Sequence, residues 1–349
     1  MFAYLSQFFR YCGSSSSFAA GHTAVTKFEF QELAVATKNF APESLLGEGE
    51  YGSTFEGCLK SSEQVVAVKQ VNKEMIIGVY RSTFLKIHIR SLLHHPNIVD
   101  MTGYCIDGNQ MYFVHDFMPL GSLTGYLHDK KPLDWNTRMK IAAGAAKGIK
   151  YLHDESVIHG NIKPSNILLC EGYHPKLSDI LGFKERIPEP DECNQARWQL
   201  MIIRQSYRHA PEFYFNLKLT QSFDIYSFGL VLLELISGCM ADIKPSLIEW
   251  VKCKLVGGEE FTAVADPLLK GHYPEQGLYQ TLSLAAECLQ IKDVTRPRIG
   301  SVVNVLSNLA SEIYDPNAIQ IDRAGTLTIG KIEKERLTEQ WQHIRCFSH

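Results

Sequence analysis

Asn161, Lys163 and Asn166 stand out in one short stretch, Val157-Ile158-His159-Gly160-Asn161-Ile162-Lys163-Pro164-Ser165-Asn166-Ile167-Leu168-Leu169. Asn161 offers one carbonyl acceptor and two N–H donors, so it can hydrogen-bond a hydroxyl, but it has no basic lone pair to take the hydroxyl's proton near pH 7. A second constellation lies upstream. Gly47-Glu48-Gly49-Glu50-Tyr51-Gly52 has the G-x-G-x-x-G spacing of a loop that covers phosphates, and Val66-Ala67-Val68-Lys69 follows as an alternating apolar strand ending in a lysine. The glycine spacing carries little alone; the lysine strand after it gives it weight.

The elements that must hold these residues divide the chain in two. Residues 45–117 read as short alternating segments, as in an antiparallel sheet, interrupted by one helical stretch over residues 81–93. The second half is helix-rich. Residues 133–153 carry Met139, Ala142, Ala143, Ala146, Ile149 and Leu152 at helical spacing, and residues 225–235 read as a buried helix. Residues 116–121 lie between the halves. No internal repeat is found.

Composition sets the class. With 349 residues, 45% apolar, 21% charged and a net charge of −3, the chain can bury a sizeable core and shows no electrostatic bias toward nucleic acid. Nine cysteines, scattered without a C-x-x-C pair, suit a reducing cytosol better than a disulfide framework or a zinc site. The longest apolar runs, such as Leu230-Val231-Leu232-Leu233 before Glu234, are far short of the roughly 20 residues of a membrane span.

The two ends say less. Phe2, Leu5, Phe8 and Phe9 recur at near-helical spacing with Arg10 as the only charge before Cys12, and a basic n-region and cleavage site are both missing, so a signal peptide is not expected. Phe2 is not Gly, which removes the myristoylation signal, whereas Cys12 beside an apolar patch is open to S-palmitoylation. Two readings stand: a loose or packed tail, and contact with a lipid surface. Ser14 to Ser17 read as a linker. Residues 315–349 are polar and mixed in charge, with a surface helix over residues 331–344.

The ordered motifs resemble a protein kinase. After the glycine loop, the lysine strand and the loop around Asn161 come Lys176-Leu177-Ser178-Asp179, Ala210-Pro211-Glu212, Asp224-Ile225-Tyr226-Ser227-Phe228-Gly229 and Arg296-Pro297, in the family's order across residues 44–310. The phrases Glu32-Leu33-Ala34-Val35-Ala36-Thr37-Lys38-Asn39-Phe40, His94-His95-Pro96-Asn97-Ile98-Val99, Leu133-Asp134-Trp135 and Tyr314-Asp315-Pro316 are similar to plant receptor-like cytoplasmic kinases. The resemblance implies an α+β, two-lobe kinase fold. Its small antiparallel β-rich N-lobe with one helix would span residues 41–116, and its larger helical C-lobe residues 117–310. Residues 1–40 would form an N-terminal tail and linker, and residues 311–349 a polar C-terminal tail. It implies nucleotide contacts at Gly47, Gly49, Gly52, Ala67, Lys69, Asp116, Asn166 and Leu168, and magnesium ligands at Asn166 and Asp179. It also implies that Asn161 and Lys163 occupy catalytic positions. Glu212 and Arg296 would tie the activation segment to the C-lobe, and Asp224 would brace the catalytic-loop backbone.

The same resemblance marks the departures. In the family's loop, H-R-D-L-x-x-x-N, the Asp accepts the substrate proton and the Asn holds magnesium; Gly160 and Asn161 stand here for the Arg and Asp. Removing a positioned general base costs about 10² to 10⁴ in rate. Active members pair the strand lysine with a Glu on the next helix, yet Met75 through Val99 holds no Asp or Glu, and Lys86 or Ile87 sits at the matching place. Glu74 or Asp179 would then neutralise Lys69, or Lys69 would stand unpaired until nucleotide arrives. The D-F-G motif reads Asp179-Ile180-Leu181, with Gly182 one place late, and Ile180 can fill the apolar slot of the Phe. Between Asp179 and Ala210 the only hydroxyl residues are Ser206 and Tyr207, and the Arg that would pair a phosphate is Gly160. Thr54 replaces the usual Val over the adenine, and His115 stands at the gatekeeper position.

These departures lead to an expected pseudokinase. It would be a binding or scaffold module in plant receptor-proximal, defence-type signalling, with ATP and magnesium left open as ligands. The alternative is a weakly active serine/threonine kinase. Expected partners are a receptor kinase or an active sister kinase, with the basic face of Arg81, Lys86 and Arg90 as first candidate surface. Expected location is the cytoplasm, including the cytoplasmic face of the plasma membrane reached through the N-terminus and Cys12.

Overall fold

The computed structural model describes residues 25–49, 52–72, 91–127, 132–180, 208–216, 219–241, 246–317 and 329–344. Eight strands are described: β1 (Thr26–Lys27), β2 (Leu45–Gly49), β3 (Gly52–Cys58), β4 (Val65–Asn72), β5 (Met101–Asp107), β6 (Gln110–Asp116), β7 (Ile167–Cys170) and β8 (His174–Leu177). The first six form one sheet in the order β1-β5-β6-β4-β3-β2, antiparallel except for β1 beside β5. β7 and β8 form a separate hairpin. The helices are α1 (Phe30–Ala36), α2 (Thr124–Leu127), α3 (Trp135–Asp154), α4 (Phe213–Asn216), α5 (Gln221–Ser237), α6 (Leu247–Val256), α7 (Glu275–Cys288), α8 (Ile299–Ser311) and α9 (Lys331–Gln342). This is the mixed two-lobe architecture implied by the resemblance.

In β4 the alternation read from the sequence becomes two faces. Val66 and Val68 are buried in the sheet's apolar cluster, which turns Ala67 and Lys69 to the other side. The Val66 and Val68 face of the sheet is closed by residues 28–40. Phe28 and Leu33 join that cluster, and the Phe40 ring stacks on Tyr112 at 5.2 Å and meets Phe55 edge-on at 5.3 Å. Most of the helix expected over residues 81–93 lies outside the described residues, together with Glu74, Arg81, Lys86, Ile87 and Arg90.

The C-lobe is built around α3 and α5. Asp134 caps α3, its carboxylate accepting from the Thr137 amide at 2.7 Å. α5 is buried almost all round, as its run of Leu, Val and Ile requires, from Phe223 through Ser237. Arg138 of α3 ties the two together by donating to the Leu235 carbonyl of α5 at 2.7 Å, and it also donates to Asp266 in a buried ion pair at 2.6 Å and to the Leu133 carbonyl at 2.8 Å. The helix expected near the C-terminus forms as α9. Leu337 and Trp341 of that helix, and Ile344 after it, are buried against the lobe, and Lys252 of α6 donates to the carbonyls of Gln342 and Ile344.

Candidate functional site: a kinase-like cleft

The loop that carries Asn161 hangs on one buried carboxylate. Asp224, in the first turn of α5 and fully buried, accepts from the amides of His159 and Gly160 at 2.8 Å each, and lies 2.9 Å from Nε2 of His153. The brace implied by the resemblance is therefore present. Gly160 has φ +74, in the left-handed region where a residue without Cβ rests at little cost. Asn161 follows, buried; its amide N–H donates to Nδ1 of His159 at 3.2 Å and its carbonyl accepts from the Asn166 side chain at 2.8 Å. Among the described residues, the Asn161 side-chain amide makes no hydrogen bond. The group at the proton-acceptor position is thus held by its backbone and presents a neutral amide.

Asn166 links this loop to the metal motif. Its carbonyl accepts from the Ser178 amide at 2.9 Å, which places Asp179 one residue beyond that contact. Asp179 has φ +53, a left-handed conformation that Asp tolerates better than most residues. Its carboxylate receives the Lys69 ammonium at 2.5 Å across the cleft. Of the arrangements open at the sequence level for Lys69, the one with Asp179 is seen; Glu74 lies outside the described residues. Ile180 is buried within the C-lobe core, filling an apolar slot as its side chain allows.

The other positions that the resemblance assigns to a nucleotide lie on or beside strands. Gly47, Gly49 and Gly52 lie on the β2–β3 hairpin, with Gly49 opposite Gly52. At Gly52, φ +141, a Cβ would fall 1.9 Å from the Gln70 carbonyl oxygen, so a side chain is excluded there. Thr54 lies opposite Lys69 in the β3–β4 register and shares its face. His115, buried, has Nδ1 3.3 Å from the Asp100 carbonyl. Asp116 begins the connection between lobes; Thr102 donates to its carboxylate at 3.4 Å, and burial, then Asp100, pushes its pKa up. The Met118 amide makes no hydrogen bond among the described residues. Leu168, on β7 between buried Ile167 and Leu169, takes the opposite face of that strand.

Lys163 stands two residues after Asn161, and its charge is felt by His209. Burial first, and Lys163 second, lowers the His209 pKa from 6.5 to about 4, so this imidazole is neutral. Its ring sits among Phe213 at 5.1 Å, Phe223 at 5.7 Å and Tyr214 at 6.2 Å. Arg296 grips Glu212 through two bonds of 2.6 Å and stacks over Tyr226, which is the tie implied by the resemblance. Leu181, Gly182, Ser206 and Tyr207 lie outside the described residues.

One pair went unread in the sequence. Arg208 donates to both oxygens of Glu234, at 2.5 and 3.2 Å, and Glu234 also accepts from the Ala241 amide at 2.9 Å. Ser227 donates to the Arg208 carbonyl at 3.2 Å. The signal was available: a carboxylate closing the apolar run Leu230 to Leu233 has no place in a buried helix without a cation.

These landmarks are shared with a large group of proteins. The family model described as protein tyrosine and serine/threonine kinase matches residues 41–306. The chain belongs to the protein kinase family. Its relatives include three Arabidopsis thaliana proteins. Serine/threonine-protein kinase PBL27 is 47% identical over 311 residues, covering 85% of this chain and 60% of PBL27. Serine/threonine-protein kinase PBS1 is 45% identical, over 85% of this chain and 67% of PBS1. Probable serine/threonine-protein kinase PBL7 is 44% identical, over 87% of this chain and 82% of PBL7. The chain thus spans only 60% of the length of PBL27. These relatives are plant receptor-like cytoplasmic kinases, as the resemblance implied.

Protein kinases generally use ATP with magnesium. The groups for a nucleotide are here: a glycine hairpin with room for no side chain at Gly52, the Lys69 ammonium, and a hinge amide at Met118. The groups for a divalent cation fit less well. Asn166 spends its side-chain N–H on Asn161 and keeps a carbonyl oxygen, but the Asp179 carboxylate is already engaged by Lys69. Among the described residues, no group of three or more His, Cys, Asp or Glu side chains converges as a metal site. No helix among the described residues is long and apolar enough to cross a membrane.

Proposed function

We propose that this kinase-family chain is a pseudokinase, a binding or scaffold module of plant receptor-proximal, defence-type signalling. The observation that carries the reading is Asn161: its loop is fastened to Asp224 in the family manner, yet the group presented is an amide that cannot take a proton. A nucleotide is bound between the glycine hairpin, Ala67, Lys69, Asp116, Asn166 and Leu168, and serves conformation, not turnover. Occupancy then does the signalling, through a receptor kinase or an active sister kinase. Residues 1–24, with Cys12, bring the protein to the cytoplasmic face of the plasma membrane.

The test is phosphate incorporation from ATP and magnesium into generic protein substrates, with Lys69→Met as control. Incorporation no greater than that of the control is the expected result; robust incorporation lost in the control defeats the reading. A second reading, a weakly active serine/threonine kinase, draws on the Lys69–Asp179 contact and the Asn166 frame, because phosphoryl transfer depends chiefly on positioning and charge. The same assay separates the two.

A further inference from the structure

We propose that the cleft takes the polyphosphate of a nucleotide as the free anion, with no divalent cation. This rests on the nucleotide-binding part of the reading above. An active kinase surrounds the phosphates with a catalytic Asp, a metal-binding Asp and a helix Glu that holds the strand lysine. So many carboxylates repel a polyphosphate unless divalent cations intervene. Here the catalytic Asp is Asn161, and residues 75–99 contain no Asp or Glu.

Of the family's carboxylates at that place Asp179 remains, and its oxygen lies 2.5 Å from the Lys69 ammonium, in a contact with side-chain exposures of 12% and 26%. The pair is shielded enough from water for its attraction to persist against salt. Lys163 adds a second ammonium in the catalytic loop, while Asn161 and Asn166 contribute neutral amides. Taken together, Lys69, Lys163, Asp179, Asn161 and Asn166 carry more positive than negative charge.

In such a site Asp179 changes role. It is the counter-ion of Lys69, and an incoming phosphate competes with it for that ammonium. Magnesium, which demands near-octahedral oxygen ligands, gains little, since it must draw Asp179 from Lys69, and the other ligand that the family pattern supplies among the described residues is the neutral Asn166. Removing the Asp179 charge therefore strengthens anion binding, where in a metal-dependent kinase the same change weakens it.

The experiment is calorimetric titration of the purified full-length chain with ATP, once in excess EDTA and once in excess magnesium. Magnesium is expected to change the affinity by less than about tenfold. Asp179→Asn, which suits φ +53 because Asn also tolerates the left-handed region, is expected to bind ATP in EDTA more tightly than the natural chain, and Lys69→Met to lose binding. Ligand-free melting of each variant checks that it is folded. A gain from magnesium of about tenfold or more, or folded Asp179→Asn with unchanged or weaker binding, overturns the inference. If magnesium is required and no phosphate is transferred, this inference alone falls. If transfer accompanies it and is lost in Lys69→Met, the pseudokinase reading falls as well. Absence of ATP binding in both buffers removes the inference and the nucleotide role, leaving the scaffold role to stand.

Discussion

The C-lobe scaffold and the cleft above it have kept different things. Among the described residues of the scaffold each buried charge has its partner: Arg138 with Asp266, Arg208 with Glu234, Arg296 with Glu212, and Asp224 with two backbone amides and His153. In the cleft the groups depart from the family pattern: Asn161 is an amide, Thr54 and His115 replace the residues usual at their places, and Asp179 holds Lys69. The difference separates two physical demands. An unpaired buried charge costs stability in every copy of the protein, whereas a missing general base costs only turnover. The chain keeps the frame's determinants of shape and lacks, at Asn161, the cleft's general base.

If that contrast is right, the largest losses come from breaking scaffold pairs. Arg138→Met leaves Asp266 buried without its cation and is expected to cost about 3 to 5 kcal/mol, as is Glu234→Leu, which strands Arg208. Denaturant unfolding measures both. Costs near those of surface changes would show that the frame is not where stability resides. Trp341→Ala extends the frame to the C-terminal helix. Its side chain is wholly buried against the C-lobe, so a loss of about 3 to 5 kcal/mol is expected, and a negligible loss would detach α9 from the scaffold.

A smaller effect concerns His209. Its pKa is lowered in the folded state, so between pH 6.5 and about 4 the unfolded chain binds a proton that the folded chain does not. Stability from this residue is present above that window and falls as the pH drops through it. Replacing His209 with Phe should flatten the decline in melting temperature over that range; an unchanged slope would place the acid sensitivity elsewhere. Least of all should follow from Thr54→Val on the cleft face of β3, a change expected to shift stability by no more than about 0.5 kcal/mol. A large shift there would erase the distinction between frame and cleft.

Much of this was legible in the residues. The family resemblance carried by the ordered motifs implied the two lobes, the hinge and the Glu212–Arg296 tie, and local periodicity separated the strand-rich half from the helical one. Asp224 was assigned its brace before its three partners were seen. What escaped were pairs joined only by folding. Nothing within α3 announces that Arg138 meets Asp266, and nothing beside Arg208 announces that it is the cation that Glu234 requires. In α9, a sequence rich in Lys and Glu hid the two buried positions, Leu337 and Trp341, that dock it. The partner of Lys69 was undecidable in sequence because the choice between Glu74 and Asp179 is one of geometry.

The central claim is that Asn161 silences a well-built kinase frame, and the most direct measurement is phosphate incorporation by Asn161→Asp beside the natural chain, with ATP and magnesium. The account predicts no incorporation above Lys69→Met in the natural chain, and no full rescue in Asn161→Asp, since the missing helix acid and the altered Asp179-Ile180-Leu181 motif are separate lesions. Incorporation by the natural chain that disappears with Lys69→Met would contradict it.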